Sequence, residues 1–470
     1  MADILRLSNI SRTSNVDLLT GTLQLQDRTW QPRTAAVKSE YTHSAYGAQP
    51  DFEYYDVVTD QLDLVGSDTS SNLRTGVQDI EEMLEEARRW HANPSTEESR
   101  WIEWYVDGEG AKRSLLYQGA LQFPANVGMS AMLQDGKVLA RLAHTRHPFW
   151  ESVTSGTAFD TDISCMGGIL SISNVEGTVP ARINLSRFLV NSGISGTITE
   201  LWAGIREENQ GTASFVATWE AEAIADGGAG ILFNSTTSVA DADCSNGYKA
   251  RITFSTTTML KRIVMRLGDV VGSNYDHFVG RYTVLARVKT SADITVLLRL
   301  RAGYYNTTTS PDLAPAGEYV QISDADTWKL YALGTVDIPG ARFHSGYGST
   351  LTQYAIQIDA QKVTGADTTI AIDNIILIPN THFFHTDNTY VAYVANRELR
   401  LITVENDEVL TLTHGASAEP FIDTGADVTD WYLPTGNSIL VLAAQTATAH
   451  DEDDTGQVYL GYYPRWLSFR

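Results

Sequence analysis

The residues that most often do chemistry are present, but they form no local catalytic motif. The chain has no His-Glu-x-x-His pair, no Gly-x-Ser-x-Gly turn, no P-loop and no dinucleotide-binding fingerprint. His382 and His385 are three residues apart in a predicted strand or loop, which does not indicate a shared metal. The acidic run 451–454 begins like a calcium loop, but Thr455 replaces a ligand carboxylate and no closing Glu follows. We interpret that run as a solvated turn and expect a protein that is not an enzyme.

Aromatic residues beside polar turns are the second kind of candidate site. Sugar rings bind on aromatic faces flanked by a few polar groups. Tyr304 and Tyr305 precede the polar run 306–310, and Tyr347 lies in a glycine-rich segment. These three tyrosines are the glycan-binding candidates, and the alternative for each is ordinary core or loop packing.

Composition restricts the class of protein. The chain has 470 residues, with 34 Lys and Arg against 57 Asp and Glu, so its formal net charge is -23. Such a charge repels phosphate backbones, and we expect no nucleic acid partner. Cys165 and Cys244 are too few for a disulfide framework and are expected to be core thiols. The N-terminus does not resemble a signal peptide, and no long apolar run predicts membrane insertion.

One stretch has helical periodicity. Its apolar positions recur at spacings of four and three, as on one helix face: Leu73, Val77, Ile80, Leu84 and Ala87. Residues 70–72 are candidate N-caps, Arg88 and Arg89 suit the C-terminal dipole, and Pro94 ends the pattern. The pattern predicts a helix over 72–91 that packs on a sheet.

Most of the remaining chain alternates as strands do. In 281–288 and 294–301, every second residue is apolar, and 353–359 shows the same alternation. Turns rich in Gly, Asn and Asp separate these runs, which is typical of an antiparallel sandwich. The segments 391–402 and 408–413 predict a hairpin near the end of the chain. The fold class expected is therefore mainly β.

The outer parts of the chain resemble the distal tail proteins of long-tailed phages. The residues that carry this resemblance are the predicted helix, Arg146-His147-Pro148-Phe149-Trp150, Gly177-Thr178-Val179-Pro180-Ala181-Arg182, Asp430-Trp431-Tyr432-Leu433-Pro434-Thr435-Gly436-Asn437 and Tyr462-Tyr463-Pro464-Arg465-Trp466. The resemblance implies an N-terminal β-barrel with one helix that forms a ring, followed by a galectin-like β-sandwich. It covers about 270 residues in two pieces.

The middle of the chain resembles the jelly-roll carbohydrate-binding modules. The matching segments are Trp219-Glu220-Ala221-Glu222, Gly247-Tyr248-Lys249-Ala250-Arg251-Ile252, Thr327-Trp328-Lys329-Leu330-Tyr331 and Ile370-Ala371-Ile372-Asp373-Asn374-Ile375. The resemblance implies a structural Ca²⁺ held by Glu220 or Glu222 together with Asp373. An Asp373 among isoleucines needs a partner in any case, and the alternatives are a turn cap or an arginine.

Together these patterns predict three parts. Residues 1–150 are the ring-forming β-barrel, 151–215 plus 384–470 the discontinuous galectin-like sandwich, and 216–383 the inserted jelly roll. A folded domain tolerates the insertion of a module into one of its surface loops. On this interpretation, deletion of 216–380 leaves a folded remainder.

The functional expectation is a structural subunit of a phage-type tail tip. It would be made in the host cytoplasm and would reside in the virion tail as a homo-oligomeric ring, expected to be a hexamer. Its other expected partners are the tail tube, baseplate or fibre proteins, and host-surface polysaccharide. Two alternatives stay open at this point: a bacterial glycan-binding or glycan-active accessory protein, and another minor tail or capsid-decoration protein.

Overall fold

For the residues it describes, the computed structural model confirms the mainly β class: antiparallel sheets with one long helix. The chain forms two compact units, one of residues 1–156, 176–181 and 463–470, the other of 157–175 and 182–462. The residues described are 4–26, 37–44, 47–93, 98–106, 110–124, 135–189, 198–208, 217–222, 230–267, 278–305, 313–323, 326–338, 353–387, 397–404, 407–414, 417–420, 427–429, 431–446 and 455–467.

The first unit holds ten strands and the helix: β1 (Ile4–Asn9), β2 (Asn15–Asp17), β3 (Gln24–Leu25), β4 (Val37–Ser44), β5 (Gly47–Tyr55), β6 (Val58–Ser67), α1 (Ser70–Ala92), β7 (Arg100–Val106), β8 (Gly110–Gln122), β9 (Lys137–Arg146) and β10 (Trp150–Ser152). The long β8 pairs with β7 and β10 in its first half and with β9 in its second half. The sheet continues through β1 to β2 on one side and through β6 to β3 on the other. Strands β4 and β5 form a separate hairpin.

The N-terminal β-barrel predicted from the sequence is not closed among the strands that the structure describes, since no ladder joins β2 to β3. These terminal strands have only three and two residues. A backbone hydrogen bond, in which Leu25 N donates to Leu18 O at 2.7 Å, links β3 to the residue that follows β2. Strands this short give too few hydrogen bonds for a closing ladder, so the sheet is open.

Helix α1 buries the face that its periodicity predicts. Its buried positions include Leu73, Val77, Ile80, Leu84 and Ala87. The N-cap is Thr69 rather than a residue of 70–72, and Thr69 Oγ1 accepts the Asn72 N–H at 3.3 Å. Gly119 on β8 allows the close approach, because a Cβ there would lie 2.6 Å from Leu84 Cδ2. Among the described segments, no helix has the length and apolar character needed to cross a bilayer.

Four strands precede the middle region: β11 (Gly156–Ser164), β12 (Met166–Val175), β13 (Val179–Leu189) and β14 (Ile198–Glu207). They belong to the second unit, apart from Gly156 and residues 179–181.

The middle region forms two facing sheets. Its elements are β15 (Thr218–Glu220), β16 (Gly230–Leu232), β17 (Thr236–Ala240), the 3₁₀ turn Ser245–Gly247, β18 (Tyr248–Thr253), β19 (Leu260–Arg266), β20 (Gly280–Thr290), β21 (Thr295–Tyr305), β22 (Ala314–Ser323), β23 (Trp328–Ile338), β24 (Gln353–Thr364) and β25 (Thr369–Pro379). One sheet has the order β17-β18-β25-β20-β23, with β15 also on β25, and the other β16-β19-β24-β21-β22. The alternating residues predicted to be internal, such as Val296 and Ile356, lie in the core between them.

The last strands return to the elements that precede the middle region. They are β26 (His382–Asp387), β27 (Arg397–Val404), β28 (Asp407–His414), β29 (Ser417–Pro420), β30 (Asp427–Thr429), β31 (Tyr432–Leu433), β32 (Gly436–Thr446) and β33 (Thr455–Trp466). One sheet has the order β12-β32-β14-β26-β30, and β13 pairs with β27 in the other. The predicted hairpin is confirmed as β27 and β28. Chain segments from both sides of the middle region therefore share sheets.

The middle region and this flanking sandwich share one hydrophobic core. Trp202, Phe383 and Val441 of the sandwich belong to the same buried cluster as the jelly-roll isoleucines. Gly204 on β14 lies against β25, where a Cβ would come within 2.1 Å of the Pro379 carbonyl oxygen. The jelly roll is thus packed into the second unit, and its predicted bounds of 216–383 stay a prediction.

Candidate metal centre

A cluster of carboxylates forms where the first strand of the jelly roll meets the last. Strand β15 pairs antiparallel with β25, with Glu220 opposite Asn374, and Ala221 N donates to Asp373 O at 2.8 Å. Side chains alternate along a strand, so the inward Trp219 leaves Glu220 and Glu222 on the other face. Trp219 is buried edge-to-face against Phe278, with ring centroids 5.1 Å apart. This packing fixes the direction in which the two glutamates point.

The structure brings Glu220, Glu222 and Asp373 together. Each offers a carboxylate oxygen, and these three atoms lie within 4.8 Å of one another. Glu222 and Asp373 are completely buried, whereas Glu220 is half-buried. Two ligands on opposite sides of a Ca²⁺ are separated by about 4.6–5.2 Å, twice the usual Ca–O distance. The oxygen spacing therefore suits a single ion of that size.

The 3₁₀ turn at Ser245–Gly247 covers the cluster. Ser245 Oγ lies 2.8 Å from Glu220 Oε2 and 3.0 Å from Asp373 Oδ1. Its backbone N–H donates to Asp373 Oδ2 at 3.4 Å. These bonds orient two of the three carboxylates and limit the access of water to them.

Arg287 on β20 pairs with the cluster. Its Nη1 is 2.5 Å from Asp373 Oδ2 and donates to Asp243 O at 3.0 Å. The guanidinium carbon lies 4.8 Å from the centroid of the Trp328 ring. Asp373 therefore has the arginine partner that was one alternative from the sequence. If all three carboxylates are ionised, as binding of a cation requires, they and the arginine carry a local charge of −2, which matches a divalent cation.

Glu222 is the least satisfied member of the cluster. Neither of its carboxylate oxygens accepts a hydrogen bond from another described residue. Burial, together with the charges of Glu220 and Asp373, raises the pKa of Glu222 to about 8. Burial also raises the pKa of Asp373, against the opposing effect of Arg287. Burying a carboxylate without an opposite charge costs free energy. A bound cation would supply the positive charge that Arg287 alone does not.

The ligand chemistry fits Ca²⁺ better than a transition metal. Hard carboxylate oxygens suit Ca²⁺ and Mg²⁺, whereas zinc and copper sites generally use His or Cys. Cys244 lies nearby in sequence, but burial raises the pKa of its thiol well above the usual range. That shift disfavours the thiolate that a soft metal would need.

Of the three tyrosine candidates, the structure describes only the side chain of Tyr304, so their role in glycan binding stays a prediction. Tyr304 is half-buried and packs edge-to-face on Tyr354, with centroids 5.4 Å apart. The backbone of Tyr305 ends β21, and its side chain lies outside the described residues. Tyr347 also lies outside them. Tyr304 therefore makes the kind of packing contact that was the alternative to glycan binding.

The two histidines near the end of β25 do not share a metal-binding face. Residues three apart in a strand point to opposite faces, and His382 and His385 both lie in β26. His385 instead stacks on Trp202, with ring centroids 5.2 Å apart. The acidic run 451–454 lies outside the described residues.

Sequence reasoning missed Ser245 and Arg287. Ser245 follows Cys244 in a turn that only folding brings over the closing strand. Arg287 stands among alternating apolar residues, which is a usable sign of a buried charge in need of a partner. Its partner could not be identified, because the register between β20 and β25 includes a bulge between Ala286 and Val288.

Comparisons with known proteins give no sequence family. No family model and no curated protein matches the chain. Among solved structures, the chain is similar to one described as the phage P2 baseplate in its activated conformation with Ca, at 9% identity and TM-score 0.31, over 98% of both chains. It is similar to the SPP1 Dit protein at 9% identity and TM-score 0.27, over 79% of this chain and 98% of that one.

The chain is also similar to the CBM22-1 xylan-binding domain from Paenibacillus barcinonensis Xyn10C. The identity is 11% and the TM-score 0.25, over 36% of this chain and 99% of that domain. The neighbours in structure thus include phage baseplate and Dit proteins and a carbohydrate-binding domain, as the sequence resemblances anticipated.

Proposed function

We propose that this chain is a non-enzymatic structural subunit of a phage-type tail tip, located in the virion tail. It would form a homo-oligomeric ring, a hexamer, that links the tail tube to baseplate or fibre proteins. Its jelly-roll module would face outward and contact host-surface polysaccharide. The support comes from the contacts that the residues of the distal-tail resemblance make in this chain.

One observation carries the proposal: the distal-tail motif near 431–437 closes a sandwich whose strands lie on both sides of the jelly roll. Trp431 is fully buried, and its Nε1 donates to Ser186 Oγ at 2.9 Å across 245 residues of sequence. Asn437 Oδ1 accepts the Asn174 N–H at 3.0 Å. This use of the motif supports a carrier sandwich interrupted by a module, as the order of the segments in the sequence predicts.

The carboxylate cluster gives the module a proposed structural Ca²⁺. Glu220, Glu222 and Asp373 would hold the ion, which would neutralise their charge. Because Glu220 and Glu222 lie at the first jelly-roll strand and Asp373 in the last, the ion would join the two ends of the module. Its role would be stability, since Glu222 and Asp373 are buried and Ser245 bonds to the Glu220 and Asp373 carboxylates.

Particle size and shape test the ring proposal. A six-copy ring of the 51.6 kDa chain has a mass of about 310 kDa. We expect light scattering on the purified chain, alone or with its tail-tube partner, to give this mass, and electron micrographs to show closed six-fold rings. A chain that stays monomeric in both settings and binds or cleaves a polysaccharide would instead support the accessory-protein alternative.

A further inference from the structure

A cleft of about 540 Å³ lies between the flanking sandwich and the jelly roll within the second unit. We infer that this cleft binds a short neutral saccharide. Its walls come from β14, β32, β22 and β23, segments far apart in the sequence. Clefts of roughly 300–1,000 Å³ between packed substructures are common ligand sites. This inference rests on the glycan contact of the proposed function and assigns it to residues outside the tyrosine candidates.

The floor of the cleft is a fixed hydrogen-bonding framework. Gln445 is only 5% exposed, and its Oε1 accepts the backbone N–H of Leu330 on β23. Thr199 Oγ1 donates to the Gln445 backbone oxygen at 3.3 Å. The side-chain amide thus joins strand β32 of the sandwich to strand β23 of the jelly roll. A site whose walls are held in this way loses little conformational entropy on binding.

Glu200 and Lys329 place opposite charges at the cleft. Glu200 lies opposite Gln445 in the β14–β32 pairing, and its Oε2 is 4.0 Å from His385 Nε2. His385 is itself held by stacking on Trp202. An acid, a lysine and nearby hydroxyl groups offer both acceptors and donors, which suits a ligand rich in hydroxyls.

Tyr331 supplies the aromatic surface. Its side chain is half-buried, packs against the shared core and lines the cleft. The negative face of an aromatic ring attracts the positive C–H edge of a partner, and the face of a pyranose ring presents such C–H groups. The exposed Ala332 and Ser323 at the same cleft leave room beside the ring.

Charge selects neutral saccharides over charged polymers. The charges of Glu200 and Lys329 balance, whereas the whole chain carries -23. A field of that sign repels phosphorylated or sulfated polysaccharides during their approach. The chemical class assigned to the cleft is therefore a neutral oligosaccharide end or a short branch.

The experiment is ligand-observed NMR with the full chain and four neutral probes: lactose, maltose, cellobiose and N,N′-diacetylchitobiose. We expect saturation transfer to at least one probe, and about tenfold weaker binding in the Tyr331→Ala variant. Ser323→Trp should also abolish binding by filling the cleft, while it keeps the charges of Glu200 and Lys329. Tyr304→Ala tests the tyrosine site predicted from the sequence. Tyr248→Ala, at an exposed ring on β18, is the matched aromatic control and should bind like the wild type.

The outcomes separate this site from the broader proposal. Binding that survives both Tyr331→Ala and Ser323→Trp, or that is lost in Tyr304→Ala alone, overturns the cleft assignment but keeps glycan contact. Absence of transfer to all four probes also overturns it. Ring formation is measured separately by electron microscopy, so failure of the cleft leaves the tail-tip role intact. Thermal unfolding of each variant excludes loss of fold as the cause.

Discussion

Glu222 is the residue at which the metal proposal is most directly tested. Replacing it with Gln keeps the volume but removes a ligand charge, so Ca²⁺ should bind much more weakly. We expect Ca²⁺ to raise the melting temperature of the wild type, EDTA to lower it, and Glu222→Gln to lose most of this response. Without metal and above about pH 8, where the wild-type Glu222 carboxylate is ionised, the variant should be at least as stable as the wild type, because its amide does not repel Glu220 and Asp373.

Calorimetric titration with Ca²⁺ and thermal unfolding are the measurements for this prediction. Glu318→Gln is the matched control, since Glu318 is an exposed acidic residue on β22 of the same module. It should keep the full response to Ca²⁺. A wild-type protein whose melting temperature ignores both Ca²⁺ and EDTA would contradict the metal centre.

His144 makes the first unit sensitive to acid. The ring is completely buried beside Asp60 and Arg146, and neither ring nitrogen has a partner among the described residues. Burial, with a smaller contribution from Arg146, lowers the pKa of His144 from 6.5 to about 4. Between these two pH values, His144 therefore binds a proton in the unfolded chain but not in the folded chain. The free energy of unfolding is not reduced by His144 above pH 6.5. It falls by roughly 3 kcal/mol as the pH drops to about 4.

The measurement is the free energy of unfolding in urea across this pH range, followed by spectroscopic signals from the first unit. His144→Leu should remove most of the pH-dependent loss while keeping the Asp60–Arg146 ion pair, whose Nε–Oδ2 distance is 2.7 Å. An exposed histidine would titrate equally in both states and give no such slope. An unchanged slope in the variant would show that other groups cause the acid sensitivity.

At the scale of elements, the contact between β14 and β25 determines whether the jelly roll is held in place. Gly204 fits only because it has no Cβ, and Arg206 Nη1 donates to the buried Tyr282 hydroxyl at 2.7 Å. Gly204→Val should overpack this contact and destabilise the second unit by about 1–3 kcal/mol, measured by chemical unfolding. Ile169→Ala, on the exposed face of β12 in the same sheet, should change stability by less than about 0.5 kcal/mol.

At the scale of the whole molecule, the shared core reverses one expectation from the sequence. Deletion of 216–380 was expected to leave a folded remainder. The deletion would expose an apolar face of the flanking sandwich that includes Trp202, Ile439 and Val441. Such patches promote aggregation, so we expect an insoluble remainder, measured as the soluble fraction after expression.

A matched variant distinguishes an exposed face from a failed fold. The same deletion combined with Ile439→Ser and Val441→Thr should recover soluble protein, because it makes the uncovered face polar. A simple deletion that is soluble and monodisperse would show that the flanking sandwich does not depend on the jelly roll.

The sequence by itself determined what depends on local pattern. The spacing of Leu73 to Ala87 predicted α1, because helix periodicity is written in consecutive residues. The alternation in 281–301 and 353–359 predicted the strands of the jelly roll for the same reason. The two acidic residues after Trp219 and the Asp of the closing strand were identified as a set through a family resemblance, and the structure places their oxygens together.

Tertiary structure decided what depends on register and on contacts between distant segments. Arg287 and Ser245 join the carboxylate cluster through sheet pairing and a turn, and neither partner can be read from neighbouring residues. The cleft at Tyr331 exists only because β14 and β32 pack beside β22 and β23. Whether an inserted module is free or shares its carrier's core depends on the burial of both faces, since an apolar strand looks the same in either case.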